Sequence, residues 1–252
     1  MSESRFYHFT SEGLFYGIKT IEEAILASRE GGFIWLNYYN PSMEVLHSLV
    51  DTMGVHPLSV EDCLDARQVP KIEHFSSNTF VIFNAFLYKD KILNVDEVDF
   101  FIGRNFLITV SGVNAEGRKP LANIEQIVEN DPGLAKAGPA FLMHVVLDYV
   151  VDEKLKAFEA LEDELEEAED EILESPESFH PTELMRLKKD LVILRKSLFH
   201  EREILVKICR MDCPFIQEKA IVHFRDIYDH VTKFFELSDL SLIHISEPTR
   251  PY

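Results

Sequence analysis

The segment VHFRDIYDHV holds four side chains that could take a metal ion: His223, Asp226, Asp229 and His230. His223 and Asp226 are three residues apart, and Asp226 and His230 are four apart, so on a helix they share a face. Imidazole beside carboxylate suits a transition ion, whereas carboxylate with water suits Mg²⁺. On spacing alone, the simpler reading is a solvated or neighbour-paired helix face. Cys209 and Cys213 are also four apart and could pinch an ion. The third cysteine, Cys63, is far away in sequence, so packing explains that pair better. No P-loop, dinucleotide fingerprint, nucleophile elbow or paired-histidine zinc motif is present, and no His and Asp pair stands out by its spacing. An enzyme ranks last among the readings.

Composition narrows the partners. The formal charge is −19 over 252 residues. That excludes nucleic acid, whose phosphates need a basic surface, and favours cations or basic partners. Three cysteines without framework spacing fit a reducing cytosol. No leader peptide is visible, and no apolar run approaches the ~20 residues needed to cross a bilayer, so the chain reads as soluble as given.

The elements that must carry these groups fall into two classes. Up to residue 138, short strands alternate with helices, which argues an α/β head. Strands are expected at Arg5–Phe9, Leu14–Lys19, Phe33–Asn37, Thr79–Tyr88, Glu97–Ile102 and Phe106–Val110. The last two are joined in a hairpin at Gly103, Arg104 and Asn105. Helices are expected from Thr20, with a capping box to Glu23, from Asn40 with Pro41 in its first turn, and over Pro120–Asn130.

From Pro139 to Glu174 one long helix is expected, ~54 Å at ~1.5 Å per residue. Its first half is apolar nearly all round, as in a buried helix. Its second half keeps one stripe: Val151, Leu155, Phe158, Leu161, Leu165, Ala168 and Ile172. Glu159–Glu174 contains ten carboxylates and no Lys or Arg. Two such groups ~5 Å apart repel by ~3 kcal/mol at an effective dielectric of ~20, so the run attracts cations. A turn at SPESFHP leads to a second helix from Pro181 to before Pro214, with a seam of Leu184, Leu187, Leu191, Leu194, Leu198, Glu201, Leu205 and Ile208. Only Glu201 interrupts it. The two seams predict an antiparallel helical hairpin over 139–213. A third helix, about Glu218 to Asp239, occupies 214–240, and its periodicity is expected to stop after Leu240. Residues 241–252 read as a vector-derived tail.

Three segments carry a resemblance: FIWLNYYNP, GVHPLSVEDCLDARQVPKIEHF and VHFRDIYDHV, in that order around a long helical hairpin. Together they resemble the CorA-type magnesium transporters over roughly Phe33 to Asp239. Val69 departs from the family, which usually has Arg there. The resemblance implies an α/β/α sandwich head with a mixed sheet, an α+β or α/β class, then a stalk hairpin and the start of a pore-leading helix. It also implies a cytoplasmic part of a homopentamer in the cell's inner membrane, reaching the bilayer only through C-terminal spans beyond this sequence.

Mg²⁺ is the expected ion, with Co²⁺, Ni²⁺ or Zn²⁺ as alternatives. The family's sensing carboxylates fall on Glu61, Asp62, Asp148 and Asp226, with Asp62 of one subunit facing Asp226 of the next. The plain alternatives are an exposed helix start for Glu61 and Asp62, and a hydrogen-bonded core partner for Asp148. A ~10⁴ change in the open population needs ~5.5 kcal/mol of differential binding, about 1 kcal/mol per interface in a five-membered ring. Two rivals stand beside this: a zinc exporter of the same superfamily, and a coiled-coil scaffold without metal.

Overall fold

The computed structural model describes residues 3–11, 13–65, 68–114, 117–135, 137–174 and 180–246. Seven strands are β1 (Glu3–Phe9), β2 (Leu14–Ile18), β3 (Phe33–Tyr39), β4 (Ile72–His74), β5 (Thr79–Lys89), β6 (Ile92–Ile102) and β7 (Phe106–Ser111). They form one sheet in the order β2-β1-β3-β7-β6-β5-β4. β3 and β7 pair in parallel and the other neighbours antiparallel, so the sheet is mixed. Side chains alternate across it. Phe33, Trp35 and Tyr39 of β3 enter one core, and Ile34, Leu36 and Tyr38 enter the other.

Helices α1 (Ile21–Arg29), α2 (Met43–Met53) and α3 (Pro57–Leu64) supply the second core, through Ala24, Leu46, Leu49 and Val60. The first core takes α4 (Ala122–Asn130), α5 (Pro139–Glu174), α6 (Pro181–Cys209) and α7 (Glu218–Ser246). The result is an α/β/α sandwich extended by long helices.

Local chemistry fixes the boundaries. Thr20 caps α1 by accepting from the Glu23 amide, while the Glu23 carboxylate takes the Lys19 N–H, one residue before the expected box. α2 begins later than predicted. Ser42 is its cap, accepting from the Val45 N–H, so Pro41 lies outside the helix. Gly54 closes α2 at φ 69°, a conformation that costs glycine nothing. Strand β6 starts five residues before the expected Glu97, because Asp90 and Lys91 take positive φ and make a two-residue turn from β5.

Helix α5 has the predicted bounds, Pro139–Glu174, and the hairpin seams are buried, Glu201 included, except for the half-buried Leu155, Ile172 and Leu184. α6 runs antiparallel to α5, with Arg186 reaching Glu164 at one end and Glu201 reaching Lys154 nearer the other. α7 continues to Ser246, past Leu240, because Ile245 still has a core to bury in. The turn at 175–179 and the tail at 247–252 lie outside the described residues.

The candidate metal site

Helices α5 and α7 lie side by side in the same direction. His144 faces His223, and eighteen residues further along each helix Glu162 meets Ser241. The apolar residues set this register. Leu142, Met143, Val146 and Leu147 of α5 are buried, as are Phe224, Ile227 and Val231 of α7. Burying those faces places His144 and Asp148 of α5 on the flank turned towards His223, Asp226 and His230 of α7.

Asp148, Asp226 and His230 converge. One ligand atom from each lies within 4.8 Å of the others. Asp148 is half-buried, and the other two are exposed. None of the three side chains makes a hydrogen bond or ion pair with another side chain or the backbone among the described residues. Burial raises the Asp148 carboxyl above its ordinary value. Asp152 and Asp226 add to the rise, and His230 opposes it. A divalent cation in the group would reverse that balance.

Glu125 shows what a structural carboxylate looks like in the same molecule. It is buried, and it accepts from Asn37 Nδ2 at 2.7 Å, from the Tyr39 hydroxyl at 3.0 Å and from the Tyr7 hydroxyl at 3.3 Å. Arg5 stands 3.6 Å away. Its lone pairs are taken, whereas those of Asp148 and Asp226 are free for a ligand.

The other expected site residues lie elsewhere in the single chain. Glu61 and Asp62 sit in the second half of α3, which has no acid in its first turn, so the helix-start explanation does not hold. Glu61 is exposed. Asp62 Oδ2 accepts from Lys71 Nζ at 2.6 Å, and Lys71 also reaches Glu73 at 3.2 Å. Asp148 is not the hydrogen-bonded core group of the plain reading. Asp229 is not part of that group and lines a groove with Cys209, Arg210 and Arg225. All three cysteines are free, and Cys213 is buried.

The groups present fit a divalent ion. Two carboxylates and water suit Mg²⁺, and the imidazole of His230 widens the choice to Co²⁺, Ni²⁺ or Zn²⁺. Spacing along α7 pointed to Asp226 and His230. Their meeting with Asp148 depends on the α5–α7 register, which no local pattern encodes.

Residues 30–244 match the family described as CorA-like Mg2+ transporter protein. The chain belongs to the CorA-like family. It is 29% identical over 212 residues to the cobalt/magnesium transport protein CorA of Thermotoga maritima, covering 82% of this chain and 60% of the relative. Against the protein of that name from Methanocaldococcus jannaschii, identity is 25% over 207 residues, covering 81% of this chain and 64% of the relative. The chain thus spans about three-fifths of the length of these curated relatives.

Its fold matches the soluble domain of CorA from M. jannaschii with a TM-score of 0.80 at 21% identity, over 97% of this chain and 94% of that one. The ZntB cytoplasmic domain from Vibrio parahaemolyticus has the same fold, with a TM-score of 0.72 at 12% identity over 96% and 93%. Among the described residues of this CorA-like chain, no helix is long and apolar enough to cross a membrane.

Proposed function

We propose that this chain is the ion-sensing part of a divalent-cation transporter, and that Asp148 and Asp226 hold the sensed ion with His230 beside them. The observation carrying this is the convergence of three unbonded ligand groups from two helices within 4.8 Å. Relatives named cobalt/magnesium transport proteins support Mg²⁺ or Co²⁺ as the ion. A bound ion supplies positive charge between carboxylates that otherwise repel each other. The chain's own residues do the rest. The Leu142–Val150 face holds α5 on the sheet, Phe224 and Ile227 hold α7 against the same core, and the two carboxylates are presented across the gap.

In the assembled ring of five, Asp62 of one copy faces Asp226 of the next, with Glu61 and Asp148 as an adjoining set. An ion there competes with Lys71 for Asp62, which makes that contact weak. Weak binding is what sensing an ion at millimolar concentration requires. Ion binding at these contacts favours a closed state, and its loss favours opening.

The test is a thermal melt against MgCl₂ and CoCl₂, with analytical ultracentrifugation. An ion bound only to the folded state adds ~1.4 kcal/mol at tenfold over its Kd. Asp148→Asn and Asp226→Asn are each expected to abolish most of that rise. If neither ion shifts the wild-type melt at ~20 mM, or if both variants respond as wild type does, the reading is wrong.

A further inference from the structure

His144 and His223 are not used by the carboxylate group described above. Their ring centroids are 4.9 Å apart and their planes are tilted by 52°. His144 lies one helical turn from Asp148 on α5, and His223 lies one turn from Asp226 on α7. Neither imidazole makes a hydrogen bond among the described residues, so no described group occupies their nitrogens. Phe141 stands edge-on to His223 at 5.3 Å, and Phe224 edge-on to His144 at 6.0 Å. Two aromatic walls thus hold the rings in place without occupying their nitrogens.

The spacing matches shared ligation. With a metal–nitrogen bond of ~2.0 Å, the centroid of each imidazole stands ~3.2 Å from the ion. Two such rings on a tetrahedral ion then have centroids ~5 Å apart. Face-to-face stacking would instead bring the planes near parallel, and 52° is far from that.

We propose that His144 and His223 form a binding site for a first-row transition ion, Zn²⁺, Co²⁺ or Ni²⁺, adjoining the carboxylate site and lying next to Asp226. Imidazole nitrogen suits these ions and discriminates against Mg²⁺, which demands oxygen ligands. Asp226 lies between His223 and His230 on α7 and supplies negative charge to both sites. The facing flanks of α5 and α7 therefore grade from imidazole at the His144 end to mixed carboxylate at the Asp148 end. Ions of the two classes are expected to compete through Asp226, since one carboxylate cannot serve both fully.

This site stands independently of the sensing role, and its test separates the two. Zn²⁺, Co²⁺, Ni²⁺ and Mg²⁺ are titrated calorimetrically into the full chain, with the visible absorption of Co²⁺ recorded in parallel. His223→Phe and His144→Phe keep an aromatic ring in place and remove the nitrogens. His223 is exposed, so its replacement leaves the core intact. Each variant is expected to lose ~10-fold or more in Zn²⁺ and Co²⁺ affinity and to change the Co²⁺ spectrum, while Mg²⁺ affinity moves by less than ~2-fold. Asp148→Asn is expected to do the reverse. Wild-type Zn²⁺ affinity and an unchanged Co²⁺ spectrum in His223→Phe would overturn the proposal, because the ion would then sit at other surface histidines. Zn²⁺ binding with no Mg²⁺ response in the wild-type chain would count against the sensing role and leave this site standing.

Discussion

Lys154 of α5 and Glu201 of α6 are both closed off from water, and the ammonium of one is bonded to the carboxylate of the other. Around the pair, Glu201 Oε1 accepts from the Asn84 N–H at 3.0 Å and from the Ser197 hydroxyl at 3.0 Å, while the Lys154 ammonium lies 4.9 Å from the Phe86 ring centroid. One buried pair therefore fastens both arms of the hairpin to strand β5. Removing a single partner strands a charge in the core. Glu201→Leu is expected to cost ~3–5 kcal/mol, and adding Lys154→Met should recover most of it. Urea unfolding of the single and double variants checks this. Equal loss in both would show that packing, not charge, governs the position.

Trp35 Nε1 donates to Thr109 Oγ1 at 2.9 Å, and that hydroxyl donates to Asn37 Oδ1 at 2.7 Å. Valine has nearly the shape of threonine and neither function. Thr109→Val is expected to destabilise by ~1–3 kcal/mol by orphaning the indole N–H. The chain has a single tryptophan, so its fluorescence reports the unfolding directly.

Glu97 and Asp99 lie two residues apart on β6, on the face covered by α3, with Cys63, Asp62 and Asp65 around them. Burial, more than any neighbour, raises both carboxyls, Glu97 to about 7 and Asp99 well above its ordinary value. The folded chain thus holds protons that the unfolded chain releases near pH ~4. Stability from the pair is complete below that range and is lost as pH rises through about 7. Melting temperature is expected to fall between pH ~5 and ~8 and to fall less in Asp99→Asn. An identical slope in the variant would locate the titration elsewhere.

Lys71 occupies Asp62 in the single chain. If Asp62 takes part in ion binding between copies, Lys71→Met removes a competitor. The Mg²⁺ concentration needed for half-maximal stabilisation of the assembled protein is then expected to drop ~2–5-fold, the equivalent of ~0.5–1 kcal/mol. Limited proteolysis across a Mg²⁺ series measures it. No shift would place Asp62 outside the ion contacts.

Periodic burial made the stalk readable. The bounds of α5 and most of both seams are legible in steps of three and four, and even Glu201 is visible as a polar residue in an apolar row. The hairpin of β6 and β7 was legible from its glycine turn. Other features depend on tertiary neighbours. The start of β6 is not legible because Leu93, Asn94 and Val95 alternate only weakly, and β5 rather than their own pattern makes them a strand. Ser42 rather than Asn40 caps α2 because the Asn40 Oδ1 is taken by the Val113 N–H, while the Ser42 hydroxyl accepts from the Val45 N–H. Glu125 was not visible as a core residue, since its three hydroxyl and amide donors come from β1 and β3, about 90 residues or more away in sequence. At the site, Asp226 and His230 were paired by spacing. His144 gave no signal, because the partner that defines it lies on another helix.

Helix α7 is unbroken from the metal groups to Ser246, a rod of about 20 residues and ~30 Å. A rod has no joint in which to lose a disturbance. If the spacing of α5 and α7 changes at Asp226 enough to tip the rod by ~5°, its far tip swings by ~2.6 Å. Leverage of this kind turns a sub-ångström adjustment between two carboxylates into a displacement the size of a water molecule.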